Sequence, residues 1–285
     1  MGRKRPGSEA DQVPVTTLQA ASGWGFPDFK EIWAYRELLY FLVLRDIKVR
    51  YRQTILGALW AVIQPLAMTA AFWLVFKEVA GVKPPGNVPY QLFAYTALVP
   101  WTLFSQSLAA ASASVVGGSS LISKVYFPRI IVPLASAASF LLDFVIGMAI
   151  LAVIMVYYGI APGPTILLLP VFSAMAFLCS FAVGLWLSAL NVKYRDIRYA
   201  VPFVLQLLLF ASPLGYSAAE IHGLKRIAYV INPVTGIAEG FRWVVLGLPQ
   251  PPLVMLIVPT FGAAALLLTG LLYFRHTERT FADIV

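Results

Sequence analysis

Six stretches of this sequence are apolar over lengths comparable with the thickness of a bilayer, and no other feature constrains the fold as tightly. About 20 consecutive apolar residues are needed to cross the hydrocarbon as a helix. The windows Ile55–Phe76, Tyr90–Val116, Ile130–Tyr158, Ile166–Leu190, Ala200–Tyr216 and Leu253–Phe274 approach or exceed that length, the fifth being the shortest. Of the 285 residues, 60% are hydrophobic and only 12% charged, whereas soluble globular chains carry roughly 45–50% and about 25%. Charges confined to a few short stretches provide no soluble surface. The expected fold is an all-α polytopic membrane protein with six transmembrane helices.

An even number of crossings puts both termini on one side. With both inside, most of the 21 Lys and Arg fall in the internal segments, which is the bias of cytoplasmic loops. The first residues are basic but are followed by no short apolar core with a cleavage site, so a cleaved signal peptide is not expected. Residues 1–25 mix Gly, Pro, Ser and Thr with bases and read as a disordered basic tail. Residues 26–54 combine Trp33, Tyr35, Tyr40 and Tyr51 with basic residues around an apolar core, Leu38–Leu44, too short to cross. They read as an amphipathic helix in the cytoplasmic interface. Residues 55–274 form the membrane domain and 275–285 a short cytoplasmic tail.

Several chemistries are missing. No GxxxxGK[ST] phosphate cradle occurs, so the chain does not hydrolyse ATP alone. The single cysteine, Cys179, reads as a small buried hydrophobe, and His222 and His276 lack any metal-ligand spacing. No metal or cofactor is expected in this chain, and no catalytic constellation is present. Nucleic acid is not an expected partner; membrane lipids are.

The loops carry the remaining signals. Between the fifth and sixth windows, residues 217–247 hold two segments too short or too charged to span. Ser217 and Glu220 fit a capping box, Asn232 before Pro233 starts a second helix, and Gly247 stops it. Two outward-side helices dipping into the membrane are expected there, with Glu239 and Arg242 on one face. Asp143 is the one acidic residue well inside a window. Facing lipid as a carboxylate is costly, so it should face protein or a wet path.

The stretches RDIKVRYRQTILGALWAVIQPL from Arg45, NVKYRDIRYAVPF from Asn191 and NPVTGIAEGFR from Asn232 together resemble the permease subunits of ABC-2 type exporters, especially those moving polysaccharide out of bacteria. The resemblance implies a homodimer joined to two copies of a cytoplasmic ABC ATPase, which binds ATP and Mg. The implied substrate is a glycan on a polyprenyl pyrophosphate lipid, such as O-antigen, capsule or teichoic acid, crossing the bacterial cytoplasmic membrane. Export of drugs or other small amphiphiles is the alternative within the same architecture. No added carbohydrate-binding domain is expected after Arg275.

On this reading Lys124, Tyr126 and Arg129 face the ATPase or anchor the inside loop to lipid. Arg45 and Asp46 form a network with Arg195, Asp196 and Arg198, or each cluster anchors independently. Trp60 and Gln64 stand at the inner mouth of the path. Thr69, Trp73 and Phe76 share a helix face, with Tyr90, Phe93 and Trp101 at the start of the next helix; these aromatics line the channel or form an interfacial belt.

Overall fold

The computed structural model describes residues 28–52, 57–122, 126–218 and 225–284; the expected basic tail lies outside them. Among these residues the fold is helical. Asp28 caps a short helix α1 (Phe29–Ala34) by accepting from the Lys30 N–H at 2.8 Å, and α2 (Arg36–Tyr51) follows. Its apolar residues are spread around the helix: Leu42 is buried, while Tyr40, Phe41 and Val49 are exposed. Next come α3 (Trp60–Phe72), which runs on into a π-helical segment Trp73–Val79, then α4 (Tyr90–Gly117) and one turn of α5 (Ser119–Ile122).

The third window divides into α6 (Ile131–Ala138) and α7 (Leu141–Tyr157), so that Asp143 sits in the first turn of α7 rather than at mid-helix. Beyond them lie α8 (Leu169–Lys193), α9 (Ile197–Ala211), α10 (Lys225–Ile231), α11 (Pro233–Leu246) and α12 (Leu253–Ile284).

Four helical stretches among the described residues are long and apolar enough to cross a membrane: Trp60–Val79, Ile131–Tyr157, Pro164–Lys193 and Leu253–Glu278. The expectation of six such spans is corrected to four, and the two that fall short do so for different causes. Helix α4 is 28 residues long but carries Tyr, Thr, Ser and Gln, and protein surrounds most of it. Leu92, Phe93, Ala94, Tyr95, Thr96 and Ala97 are wholly buried, so α4 is the axis of the bundle. Helix α9 has 15 residues and reaches only about 22 Å, short of the roughly 30 Å hydrocarbon core.

The other helices are arranged around α4. Helix α8 packs along it most extensively, and α6, α7, α11 and α3 complete the ring. The close approach of α8 requires Gly184, where a Cβ would lie 2.7 Å from the Ala111 Cβ. Two apolar clusters result. The larger joins Tyr95, Leu98, Leu103 and Phe104 of α4 to Phe172, Ala176, Ile237 and Phe241. The smaller ties Leu42 of α2 to Ile131, Leu185, Phe274 and Phe281. Burial of this kind stabilises by roughly 25 cal/mol per Å2 in water, whereas between lipid-facing helices close packing and interhelical hydrogen bonds matter more. Such bonds are present: Ser107 donates to the Ala137 carbonyl at 3.1 Å, Tyr95 to that of Gly147 at 3.1 Å, and Asn191 to that of Ser112 at 3.0 Å.

Candidate functional site

A cavity of about 450 Å3 opens where α2 ends and α3 begins, within the roughly 300–1,000 Å3 range of ligand pockets. Trp60 and Gln64 of α3 line it, together with Thr102 and Gln106 of α4 and Phe140, Asp143 and Phe144 around the start of α7. Arg50 and Tyr51, the last two residues of α2, complete its charged side. The structure thus brings Asp143 together with the two residues expected at the inner mouth.

Asp143 faces protein and the cavity at once. Its carboxylate accepts from the Arg50 guanidinium at 2.7 Å and from the Tyr51 hydroxyl. Arg50 donates its other nitrogen to Ser139 Oγ at 2.6 Å and lies over the Phe140 ring, 3.5 Å from its centre. Burial, and then the bond to Asp143, push the Tyr51 hydroxyl up to about 12, so it remains a donor throughout the physiological range. Removing solvent strengthens each of these interactions and makes an unpaired member costly. α2 is thereby joined to the α6–α7 junction by its last turn.

A second polar centre is sealed. Arg242 of α11 has no exposed surface. It donates to the carbonyls of Pro213 at 2.8 Å, Leu214 at 2.6 Å, Tyr216 at 3.0 Å and Phe93 at 3.4 Å, and pairs with Glu239 at 3.0 Å. Its guanidinium also stacks 3.6 Å above the centre of the Phe93 ring. A planar fork with five N–H donors suits such a set of acceptors. The chain from Ser212 to Ser217 leaves helical geometry after the short α9, and Arg242 satisfies the carbonyls released there. Glu239 accepts in addition from the Ala218 N–H at 2.8 Å. Asn232 caps α11 by accepting from the Val234 N–H at 3.0 Å and donates to Ser212 Oγ at 2.9 Å, and Gly247 ends the helix with φ 66°. Glu220 lies outside the described residues.

The aromatic set is divided. Trp60 is 44% exposed, whereas Tyr90, Phe93 and Trp101 are buried in the core. Tyr90 donates to the Gly215 carbonyl at 2.8 Å. Phe76 packs on Phe72, Tyr216 and Gly215, where a Cβ would meet its ring at 2.6 Å. Trp73, half-buried, keeps its indole N–H buried without a hydrogen-bond partner, and the Thr69 hydroxyl donates to the Pro65 carbonyl at 2.7 Å.

The charged clusters at the expected cytoplasmic surface are placed separately. Asp46 pairs with Arg45 at 2.8 Å and accepts from Ser136 at 3.0 Å. Arg195, Asp196 and Arg198 are exposed at the start of α9. Tyr126 is exposed, Arg129 donates to the Glu278 carbonyl, and Lys124 lies outside the described residues.

Sequence reasoning missed Arg50, Tyr51, Thr102, Gln106 and Ser139. A general signal existed, since a carboxylate in an apolar window requires a cation, but nothing in the sequence singled out Arg50 among the bases of the run from Arg45 to Arg52. Gln106 and Thr102 gave no such signal, because polar residues on a central helix look alike until its neighbours are known. Among the described residues no group of three or more His, Cys, Asp or Glu could hold a metal ion.

Known proteins match this chain over most of its length. A family model described as ABC-2 type transporter covers residues 37–246. The "O-antigen export system permease protein RfbA" of Myxococcus xanthus is 27% identical over 215 residues, 75% of this chain and 82% of that protein. Two proteins of the same name from Klebsiella pneumoniae are 26% identical. One aligns over 209 residues, 72% of this chain and 79% of that protein; the other over 254, or 87% and 95%. The family match runs from the first turn of α2 to the last residue of α11, taking in both the cavity and the Arg242 centre, and the chain therefore belongs to the ABC-2 type transporter family, as one of its membrane permeases.

Proposed function

We propose that this permease exports a polysaccharide linked to a polyprenyl pyrophosphate lipid across the bacterial cytoplasmic membrane, as a homodimer driven by two copies of a separate ATPase that binds ATP and Mg. The observation that carries this reading is the similarity to three O-antigen export permeases, which for one of them covers 95% of its length. A sugar polymer crosses hydrocarbon only along a path that replaces its water contacts while binding weakly enough to release it. Aromatic faces and neutral polar groups meet that requirement. Trp60 and Gln64 form the mouth, and Thr69, Trp73 and Phe76 continue along the same helix. Tyr90, Phe93 and Trp101, being buried, shape the path from behind.

The ATPase biases two arrangements of the permease by binding one of them better. Tyr126 meets it from its exposed position and Arg129 braces that segment against α12. Arg45, Asp46, Arg195, Asp196 and Arg198 form the remaining cytoplasmic surface. Both termini are cytoplasmic, with Asn232, Glu239 and Arg242 in the outward-side region.

Deleting the gene tests the reading through the lipid-linked polymer trapped inside the cell. The expected result is accumulation of one such polymer, reversed by the intact gene. Undiminished polymer on the cell surface contradicts it. ATPase activity of the purified complex that responds to small lipophiles and ignores the glycan lipid would transfer the reading to amphiphile export.

A further inference from the structure

The wall of the cavity combines two amides without protein partners among the described residues, aromatic surface and one matched ion pair. Gln64 and Gln106 are exposed to it and, among the described residues, their amides bond to no protein group. Each amide offers two N–H donors beside a carbonyl acceptor, the pattern complementary to two adjacent hydroxyls. Trp60 presents a half-exposed ring, and Phe140 and Phe144 add apolar surface. Aromatic side chains give the C–H face of a sugar a large apolar partner.

The charges of the same wall are already matched. The Arg50 guanidinium is held by Asp143 at 2.7 Å and by Ser139 at 2.6 Å, and the Tyr51 hydroxyl also points at Asp143. Among the described lining residues no other cation is present. A diphosphate entering here would meet no net positive charge and would stand beside the Asp143 carboxylate, which is unfavourable in a partly buried site. A neutral polyol disturbs nothing and gains the two free amides. Lys48 and Arg52, which form no ion pair among the described residues, line a different groove on α2.

We propose that this cavity is a sugar subsite, taking a neutral pyranose ring of the polymer and rejecting the diphosphate that joins the polymer to its lipid. The proposal rests on the polysaccharide-export reading and adds to it the ligand chemistry of one place on the path. Gln64 and Gln106 hold the hydroxyls, Trp60 stacks on the ring, and the Arg50–Asp143 pair keeps the wall electrically neutral.

The test uses the full-length permease in lipid nanodiscs free of sugar detergent. Methyl α-mannopyranoside, methyl α-galactopyranoside and methyl β-glucopyranoside serve as probes and inorganic pyrophosphate as competitor, all read by saturation-transfer difference NMR. At least one glycoside should bind with Kd on the order of 1 mM. The Gln64→Ala/Gln106→Ala double variant should weaken it by about tenfold, the loss of two modest hydrogen bonds, and pyrophosphate should leave the signal unchanged. Trp60→Ala, at a half-exposed position, provides a second variant should the amide pair prove necessary for folding; it too should weaken binding. Three results overturn the proposal: no glycoside binds, folded variants bind as well as the parent, or pyrophosphate displaces the sugar. Failure of the export reading has a different signature, normal surface polymer in the deletion strain. Trapped polymer together with a cavity indifferent to sugars removes only the subsite.

Discussion

Arg242 and Arg50 are both drawn into the bundle, yet one is enclosed and the other stands at an opening. Arg242 has no exposed surface and four of its five acceptors are backbone carbonyls. Arg50 retains 25% exposure, its acceptors are the Asp143 and Ser139 side chains, and a cavity lies beside it. Side-chain partners can turn aside when a neighbour moves, whereas backbone carbonyls move only with the chain that carries them. The first arginine therefore fixes the shape of an irregular segment, and the second joins the end of α2 to the start of α7 through side chains alone. A buried charge is informative about function only after its acceptors have been identified.

The largest expected effect comes from breaking the enclosed centre. Arg242→Met removes the donor from four carbonyls and leaves Glu239 without its cation, a loss of about 3–5 kcal/mol for a broken buried pair. The folded yield in nanodiscs should collapse, and Arg242→Lys should rescue little, since an ammonium lacks the planar fork. A well-folded Arg242→Met permease would falsify the architectural role.

At the opening the effect should be smaller and shared. Asp143→Asn and Arg50→Ala are each expected to cost about 1–3 kcal/mol, with the double variant losing less than the sum. Thermal melting of the four proteins in a mutant cycle measures the coupling. Additive losses would mean that the pair seen in the structure contributes nothing as a pair.

The Tyr51 hydroxyl sharpens the contrast through pH. Its folded pKa, about 12, lies above the ordinary 10, so its contribution is complete below pH 10 and is lost as pH rises through 12. Across pH 6–9 the difference in melting temperature between the parent and Tyr51→Phe should stay constant. A difference that drifts inside that window contradicts the assignment of Tyr51 as a neutral donor to Asp143.

The smallest effect belongs to the exposed surface. Asp46 is engaged by Arg45 and Ser136, and exposed pairs are worth about 0–1 kcal/mol. A cycle between Asp46 and Arg195 should be additive for melting, within roughly 0.3–0.5 kcal/mol. Strong coupling would place the two clusters in contact across the assembled complex.

The sequence determined the helical membrane character, the start of α11 at Asn232 and its stop at Gly247. It also showed that Asp143 needed company. These are local or compositional facts: a window's length, a cap, a residue free to take positive φ, a charge in an apolar run. The tertiary structure decided the rest. It showed that α4, long as it is, is enclosed by protein over most of its length, and that α9 is too short to cross by itself. Tyr90, Phe93 and Trp101 went to the core, and Gln64 and Gln106, 42 positions apart in sequence, came to one cavity. Periodicity and hydropathy register how apolar a segment is. They do not register whether lipid, protein or water lies against each face, because that depends on which other segments arrive beside it.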